Sequence, residues 1–590
     1  MIFGKYVNRF YFKYFLHFFI GVLFLILVDY VQLLVPQIIG DLSRANDNGT
    51  LTEMMINQGA LNIFYVAIFM FTGRFIWRVS ILSGAFNIAS DLREDMFVKC
   101  EKLSQRFYQE NKVGAMMSYF TNDLDTIQEA YGWGTVMLVD SIFLTILTFY
   151  KMLRINLSLS LICLIPLILL CIFAYFIDNK IEKIYNDRQK AFERMSDYVQ
   201  ELFTGLRVIK AFVNEIKEAI RFKKVNEETK NKDLALVKFS AFLDTGFSIL
   251  IEGMTVVGLT YGAFLVYQGV YGDNNVNFTR ADMIEFVGYF NTIIWPMIAL
   301  GQIVALRSRA KTSLKRISNL LDEKIDVMDL PTSKKIDKLK GKITFKNFSY
   351  SYLNNDVYQL ENINLEINVG ENIGIVGKIG SGKTTLVSSL LRLDNFKKGT
   401  LFLDDNDIMD LKIKDVRNNI SFVPQDNFLF STSIEDNVAF SEDEIKKEKV
   451  IEACKFADVD NNIVDFIDGY KTLVGERGVT LSGGQKQRIS IARAYLKDSP
   501  IMVLDDSVSA VDVKTEEKIL SNIKQKRKGK TTILVSSRVS TVEHLDRIIV
   551  LNEGKVEAFD THENLLKISP TYKRMVDLQK LEESLGEKNG

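Results

Sequence analysis

The sequence GKIGSGKTT at residues 377–385 decides the fold of the second half of this chain. It follows the short β-branched run 372–376 and precedes a helix-forming stretch, which is the strand, loop and helix context of a phosphate-binding loop. Its glycines let backbone amides crowd round phosphate groups. Lys383 supplies a point charge at the β- and γ-phosphates of a nucleotide, and the hydroxyl of Thr384 can ligate magnesium. The stretch therefore predicts an α/β domain that binds a nucleotide.

Two further motifs lie downstream of this loop. The hydrophobic run 501–504 ends in Asp505 and Asp506, and Asp505 is the expected magnesium carboxylate of a phosphate-loop enzyme, either as a direct ligand or through a coordinated water. Between the loop and that run lies LSGGQ at residues 481–485. Short β-branched runs begin after Gly341, so we expect the α/β domain to start there.

The first half of the chain is different, because its apolar residues are gathered into long runs. Each run reaches or approaches the roughly 20 residues that cross a bilayer. Asp29 and Asp140 each interrupt one of the runs. The runs predict a membrane α-helical bundle of six transmembrane helices, at about 14–40, 56–80, 134–150, 155–177, 244–272 and 286–306.

Long connections separate these spans on one side. The connections 74–133 and 178–243 contain no proline and alternate charged with apolar positions, which is typical of amphipathic helix. Each is expected to form a helical hairpin that extends into the cytoplasm, with its tip near 114–125 or 204–212. Basic residues gather before the first span and after the last, so the positive-inside rule predicts that both termini are cytosolic.

Taken together, the two halves closely resemble an ATP-binding cassette exporter. The motif order carries the resemblance: the phosphate loop, VPQ at 423–425, LSGGQ at 481–485, LDD at 504–506 and SAVD at 509–512. A six-span half with long inner hairpins is similar to the exporter branch of that family. The resemblance implies a multi-pass protein of the bacterial cytoplasmic membrane whose nucleotide-binding domain is cytosolic. It also implies a transmembrane domain at 1–325, a linker at 326–340 and a nucleotide-binding domain at 341–590.

The resemblance implies roles for the matching residues, with ATP and Mg²⁺ as cofactors. Tyr352 would stack on adenine, and Asp512 would couple two sites at a dimer interface. Magnesium would be held by Thr384, Gln425 and Asp505. The phosphates would be bound by Gly377, Lys378, Ile379, Gly380, Ser381, Gly382, Lys383, Thr384 and Thr385. The γ-phosphate of the other subunit's nucleotide would be capped by Ser482, Gly483, Gly484 and Gln485.

Two catalytic positions depart from the family pattern. The family normally has Glu after the magnesium Asp, as general base on the attacking water, whereas this chain has Asp506. One methylene fewer withdraws the carboxylate by roughly 1 Å, and proton abstraction needs about 2.6–3.2 Å. The family also expects a histidine where this chain has Ser537, and a hydroxyl cannot carry positive charge toward the γ-phosphate. The expected catalytic set is Lys383, Gln425, Asp506 and Ser537.

Two interpretations of these departures are open. One is neutral drift in a working homodimer. The other is a heterodimer with a second half-transporter subunit, in which this chain's own site is degenerate while its intact LSGGQ completes a competent site on the partner's Walker motifs. The second interpretation fits the asymmetry, because the motif that serves the partner is preserved and those that serve this chain are not. It resembles the pairing in bacterial heterodimeric multidrug exporters.

The composition bears on partners and cargo. Lys plus Arg and Asp plus Glu are both 73, and this zero formal charge argues against nucleic acid. Phe and Tyr in the spans suit hydrophobic or amphipathic small molecules in contact with a lipid bilayer. The first hypothesis is therefore an ATP hydrolase that drives export of such compounds. The alternatives are a lipid or lipopeptide flippase and an ATP-gated channel or regulator.

Ionisable residues in or beside the spans are functional candidates by default. Asp29 is the one to test, because it lies inside the first apolar run. Pro296 is expected to kink the sixth span. The other ionisable residues are expected to lie near the cytosolic ends of their spans and to face water: Arg74, Arg78, Asp140 and Glu252.

Overall fold

The chain forms two compact units. The computed structural model describes residues 4–111, 113–271, 278–352, 358–475, 478 and 480–589 of the 590. The first unit contains Met1–Glu101 with Asn111–Glu323, and the second contains Lys102–Glu110 with Lys324–Gly590.

The first unit is helical, with long helices that follow the apolar and amphipathic runs. Its α-helices are α1 Asn8–Lys13, α2 Phe15–Gln32, α3 Leu34–Asp47, α4 Glu53–Lys102, α6 Val113–Ser118, α7 Leu124–Tyr131, α8 Trp133–Val139, α9 Thr145–Ile155, α10 Leu157–Thr204, α11 Leu206–Ala211, α12 Glu215–Tyr271 and α13 Arg280–Asp322. The short helix α5, Gln105–Glu110, belongs to the second unit. π-helical turns occur at Tyr119–Asp123 and Asp140–Leu144.

Four helical segments of the described part are long and apolar enough to cross a membrane. They are Phe15–Asp47, Glu53–Lys102, Met116–Ile155 and Arg280–Leu300. The predicted spans 155–177 and 244–272 fall in α10 and α12, where many side chains lie outside the described part, so the count of six helices stays a prediction.

In the first helical hairpin, α4 ends at Lys102 and α5 follows at Gln105–Glu110. The predicted interval 114–125 is helical, and the place of the coupling-helix tip within it stays a prediction. In the second hairpin, α11 lies within the predicted interval 204–212.

Close contacts between helices hold the first unit together. α13 packs against α3, α7, α8 and α9. Small residues permit close approach of neighbouring helices. A Cβ on Gly73 of α4 would lie 2.5 Å from Cγ2 of Val28 on α2, so those two helices touch at that position.

Asp140 does not face water, contrary to its prediction. Its residue is 6% exposed, and its Oδ2 accepts a hydrogen bond of 2.9 Å from Nε1 of Trp295. The π-helical turn that begins at Asp140 turns the side chain toward α13, and a linear count of residues cannot show this rotation. Pro296 lies inside the continuous helix α13.

The described residues of the second unit form two sheets. Its strands are β1 Ile343–Tyr350, β2 Leu360–Ile367, β3 Asn372–Gly377, β4 Leu401–Leu403, β5 Asn406–Asp407, β6 Ile420–Val423, β7 Ile501–Asp505, β8 Thr531–Val535, β9 Arg547–Asn552 and β10 Lys555–Asp560. The smaller sheet has the order β2-β1-β4-β5, and the larger has the order β10-β9-β3-β8-β7-β6.

The larger sheet sets the position of the site. Strand β3 pairs in parallel with β8 and β9, and β7 pairs in parallel with β6 and β8. The carboxyl ends of adjacent parallel strands lie at one edge, where α/β sheets bind ligands. The loops after β3, β6, β7 and β8 therefore converge.

Helices cover the larger sheet and complete the second unit. They are α14 Lys383–Ser389, α15 Ile413–Asn418, α16 Ile434–Val438, α17 Lys447–Phe456, α18 Asp460–Val464, α19 Gly483–Leu496, α20 Val513–Lys526, α21 His562–Ile568 and α22 Pro570–Asn589. Short 3-10 turns accompany them at Ile408–Asp410 and Gly469–Lys471.

Candidate nucleotide-binding site

The phosphate loop joins β3 to α14, as its sequence predicts. A Cβ on Gly377 would lie 2.2 Å from the carbonyl oxygen of Leu551, so only glycine fits at the end of β3. Gly382 has φ +95°, which is the left-handed region that glycine adopts without strain. These two glycines fix the course of the loop between strand and helix.

Lys383 holds its ammonium group against the loop. Its Nζ donates to the carbonyl oxygens of Gly377 at 2.9 Å and Lys378 at 3.0 Å. Burial lowers the pKa of Lys383, while the carboxylates of Asp506 and Asp505 act to raise it. The lysine is therefore placed between the loop and the two acidic groups, where it can neutralise phosphate charge.

Asp505 has a buried carboxylate at the end of β7. The residue is 1% exposed, and no described residue donates a hydrogen bond of normal geometry to either oxygen. Burial raises the pKa of Asp505, and Asp506 adds to this, while the Thr384 hydroxyl and the Lys383 ammonium oppose it. A buried carboxylate needs a cation or a proton for stability. The carboxylate and the threonine hydroxyl are oxygen donors of the kind that Mg²⁺ takes.

Gln425 supplies a third oxygen donor candidate for the magnesium site. It lies two residues beyond β6, the neighbour of β7, and its side chain is exposed. Its backbone carbonyl oxygen accepts a hydrogen bond of 3.3 Å from Nδ2 of Asn427. Because β6 and β7 are parallel neighbours, Gln425 follows β6 at the same edge of the sheet that carries Asp505.

Tyr352 stands beside the phosphate loop. Its hydroxyl oxygen is 3.1 Å from Oγ1 of Thr385, and its ring is edge-on to Tyr350 at a centroid distance of 5.1 Å. The side chain is 40% exposed, which leaves a ring face accessible. This placement suits the predicted stacking on adenine.

Asp506 adopts an uncommon backbone conformation. Its φ is +46°, a region in which Asp and Asn are enriched among residues other than glycine. Its N–H donates to the carbonyl oxygen of Val535 at 3.0 Å, which ties the end of β7 to β8. Burial raises the pKa of Asp506, while Lys383 and Arg538 act to lower it. The half-buried carboxylate therefore faces two cations.

Arg538 is a site residue that sequence reasoning missed. It follows Ser537, which is exposed just beyond β8, and its Nη1 lies 3.9 Å from Oε2 of Glu516. The only sequence signal was its position next to the place where the family has histidine. Arg538 brings a positive charge near Asp506 that Ser537 cannot supply.

The LSGGQ motif forms the start of α19. Ser482 is the N-cap of that helix, and its Oγ accepts from the N–H of Gln485 at 3.3 Å. The N–H of Ser482 in turn donates to Oε1 of Gln485 at 3.0 Å, which completes a capping box. The motif residues Ser482 and Gly483 remain exposed at the surface.

Gln487 joins the LSGGQ helix to the segment after Asp506. Its residue is 6% exposed, and its Oε1 accepts from the N–H of Ala510 at 3.0 Å. Its Nε2 donates to the carbonyl oxygen of Asp506 at 3.4 Å. Sequence reasoning missed this residue, because a buried glutamine on a helix is visible only after packing. Asp512 lies at the end of this segment as the N-cap of α20, and hydrogen bonding from Thr515 lowers its pKa.

Gly484 offers a first test of the contact between α19 and the segment 509–512. A Cβ there would lie 2.9 Å from the carbonyl oxygen of Ala510, whereas a Cβ on Gly483 would meet Cβ of the same alanine at 3.9 Å. We expect Gly484→Ala to destabilise the second unit by about 1–3 kcal/mol, because a backbone oxygen cannot give way easily. Gly483→Ala is the matched control and should change stability by less than about 0.5 kcal/mol. Thermal unfolding of the two purified variants decides, and equal midpoints would contradict the packing described here.

The candidate residues thus fall into two groups within one chain. The first surrounds the phosphate loop and includes Tyr352, Asp505 and Asp506. The second is the LSGGQ motif with the segment 509–512. Among the described residues, no hydrogen bond joins Ser482–Gln485 to the phosphate loop, and Gln487 connects the groups through the backbone of Asp506.

A phosphate loop, an LSGGQ helix and a parallel sheet beside a helical membrane unit define an ATP-binding cassette protein. The family model for the ABC transporter transmembrane region matches residues 18–297, and the ABC transporter model matches residues 360–509. The chain belongs to the ABC transporter family, as an exporter with fused transmembrane and ATP-binding domains that hydrolyses ATP to drive transport.

Similar proteins match over nearly the whole chain. The probable multidrug resistance ABC transporter ATP-binding/permease protein YheI of Bacillus subtilis (strain 168) is 32% identical over 584 residues, covering 98% of this chain and 97% of that protein. The multidrug resistance-like ATP-binding protein MdlA of Buchnera aphidicola subsp. Schizaphis graminum (strain Sg) is 33% identical, covering 95% and 96%. The predictions of an ABC exporter and of ATP-hydrolysing transport are confirmed.

The fold is also found among solved structures. The structure of a bacterial Atm1-family ABC exporter with ATP bound superposes with a TM-score of 0.80 at 22% identity, covering 97% of this chain and 99% of that one. At this identity the likeness concerns the fold. The predicted combination of a membrane helical domain with an ABC nucleotide-binding domain is confirmed.

Proposed function

We propose that this chain is one subunit of a heterodimeric exporter that uses ATP to move hydrophobic or amphipathic compounds out across the bacterial cytoplasmic membrane. Both relatives described above carry multidrug resistance in their names, which supports this class of cargo. The observation that carries the heterodimer is the asymmetry of the site. Asp506 and Ser537 stand at the catalytic positions of this chain's own nucleotide, while the LSGGQ motif is intact.

The division of the candidate residues supports a site completed by a second subunit. The LSGGQ residues Ser482 and Gly483 are exposed at the start of α19 and have no hydrogen bond to this chain's phosphate loop in the described part. An exposed helix N-terminus can bind the γ-phosphate of another chain's nucleotide. In the proposed dimer each subunit therefore contributes half of each site.

At this chain's own site we assign binding roles. Tyr352 stacks on adenine, residues 377–385 hold the phosphates, and Lys383 neutralises their charge. Magnesium would be held by Thr384, Gln425 and Asp505, where it would stabilise charge on the transferred phosphoryl group. Asp506 orients water poorly because its carboxylate is short, so this site binds ATP and hydrolyses it slowly.

The experiment compares the chain expressed alone with the chain co-expressed with a second half-transporter from the same cell. We expect little ATP hydrolysis by the chain alone and full activity after co-expression, because only the partner's site has Glu and His at the two altered positions. Rapid turnover by a homodimer of this chain would contradict the heterodimer and favour drift in a working homodimer.

A further inference from the structure

A buried polar cluster lies among helical segments of the first unit, which contains the membrane spans. Asp29 on α2 is 4% exposed and Asp140 before α9 is 6% exposed, and we call them the buried carboxylates. Trp295 on α13 donates from its indole N–H to Asp140 over 2.9 Å. Asp140 lies 15 residues before the span end at Ile155, and Trp295 lies five residues before the span end at Leu300. These separations are about 22 Å and about 7 Å along the helices, so both residues lie within membrane-spanning segments.

Three polar atoms in and beside this cluster lack a hydrogen-bond partner among the described residues. Within the described part of the chain, Oδ2 of Asp29 and Oδ1 of Asp140 receive no hydrogen bond, and the indole N–H of Trp77 has no acceptor. Asp29 interacts electrostatically with Asp140 and with Arg74. The Arg74 guanidinium, however, donates to Oε1 of Gln32 at 3.4 Å and is exposed. The cation that interacts with Asp29 is thus the Arg74 guanidinium, which is already hydrogen-bonded to Gln32.

The three tryptophans of the chain are connected to this region: Trp295 by its hydrogen bond to Asp140, Trp77 by apolar packing, and Trp133 through Trp77. Trp77 packs in one apolar cluster with Val28 and Val139, which are the neighbours in sequence of the two carboxylates. Trp133 is edge-on to Trp77 at a centroid distance of 6.4 Å. Trp295 is hydrogen-bonded to Asp140 and yet 44% exposed, so its ring is accessible.

This combination favours one ligand chemistry. Indole faces attract organic cations through their π electrons, and carboxylates in an apolar setting attract positive charge strongly. A bare divalent metal would need six or more oxygen ligands for Ca²⁺, or near-ideal octahedral ligands for Mg²⁺. No group of three or more His, Cys, Asp or Glu side chains suited to a metal occurs among the described residues. A cation with an apolar body fits better than a metal ion.

We propose that Asp29, Asp140 and Trp295 recognise the positive group of a hydrophobic organic cation that the exporter carries. The proposal rests on the proposed export function, since it names a substrate class for the same transporter. The cation reaches the cluster along the exposed face of Trp295, and its rings lie against the indole. Its charge is then held by the two carboxylate oxygens that lack a hydrogen bond.

Binding of two probes of equal shape and opposite charge tests this site. We measure tetraphenylphosphonium and tetraphenylborate binding to the purified transporter, with any subunit that co-purifies. We expect Asp29→Asn combined with Asp140→Asn to weaken tetraphenylphosphonium binding by at least about tenfold and not to weaken tetraphenylborate binding. Asp47→Asn is the matched control, because it makes the same chemical change at the exposed end of the same span.

The outcomes separate recognition from structure. Unchanged tetraphenylphosphonium affinity in the double variant, or parallel loss of both probes, would overturn the proposal. If the double variant does not assemble, Trp295→Phe decides, because it keeps an apolar ring and removes the indole N–H. We then expect a selective loss for tetraphenylphosphonium of about threefold, and no selective loss would overturn the proposal.

Transport distinguishes failure of this inference from failure of the export function. ATP-dependent movement of tetraphenylphosphonium and of uncharged Nile red is measured in inside-out vesicles. We expect the double variant to retain Nile red transport and to lose tetraphenylphosphonium transport, whereas loss of neither would overturn the cation site. If the unmodified transporter moved neither probe, the export function would fail, and the charge-selective binding measurement would still decide the cation site.

Discussion

Replacement of Asp506 by Glu together with Ser537 by His should raise single-turnover ATP hydrolysis at this chain's own site by about 10²–10⁴-fold, the usual contribution of a positioned general base. The longer carboxylate would reach the attacking water, and the imidazole would supply positive charge near the γ-phosphate. The measurement uses the assembled transporter with the partner's catalytic glutamate removed and, if it is altered, with the partner's LSGGQ-equivalent restored. Under these conditions the gain belongs to one site.

Asp506→Asn is the control for the backbone at this position. Asn tolerates the φ of +46° as well as Asp does but cannot act as a base. We expect it to give no gain, and Ser537→His alone to give less than the double variant. If the double variant were no faster than the unmodified chain, then Asp506 and Ser537 would not be the cause of slow hydrolysis.

The second large effect is expected from Gln485→Ala, which should reduce ATP hydrolysis by the assembled transporter by about 10²-fold, the typical cost of removing one group that stabilises the transition state. In the proposed heterodimer, Gln485 belongs to the motif that completes the partner's competent site, which is the reason for the expected loss. Lys383→Ala should leave more activity, because on this proposal it damages the slower site. Steady-state hydrolysis at saturating ATP measures both variants.

Gln485→Glu separates contact with the nucleotide from local folding. Oε1 of Gln485 accepts from the N–H of Ser482, and Glu at this position preserves such a capping box. It also places a negative charge toward the partner's γ-phosphate. We therefore expect Gln485→Glu to be at least as inactive as Gln485→Ala while α19 remains folded. Equal losses in Gln485→Ala and Lys383→Ala would contradict unequal sites.

Local motifs made the nucleotide half predictable from sequence. The strand, loop and helix at residues 372–389 follow from residues that are adjacent in the chain, and so does the helix start at Ser482. Gln487 and Arg538 act only through packing between distant segments, so no local pattern marks them. Local sequence does not determine which subunits pair, and the heterodimer stays a proposal.

The membrane half shows where residue counting fails. Apolar runs predict that a helix crosses the bilayer, but they do not fix its rotation about its own axis. Asp140 was expected to face water and is buried against Trp295 because a π-helical turn begins there. The direction of a side chain depends on the neighbouring helices and on such local changes in helix geometry.

The length of α12 has a mechanical consequence. It is one helix of 57 residues, Glu215–Tyr271, and is therefore about 85 Å long. A tilt of about 5° around its midpoint displaces each end by about 4 Å in opposite directions. Because its backbone hydrogen bonds resist bending, displacement at one end reaches the other without a relay of rearranged side chains. α12 is thus a lever, and a small rotation is enough to produce a movement as large as a small molecule's radius.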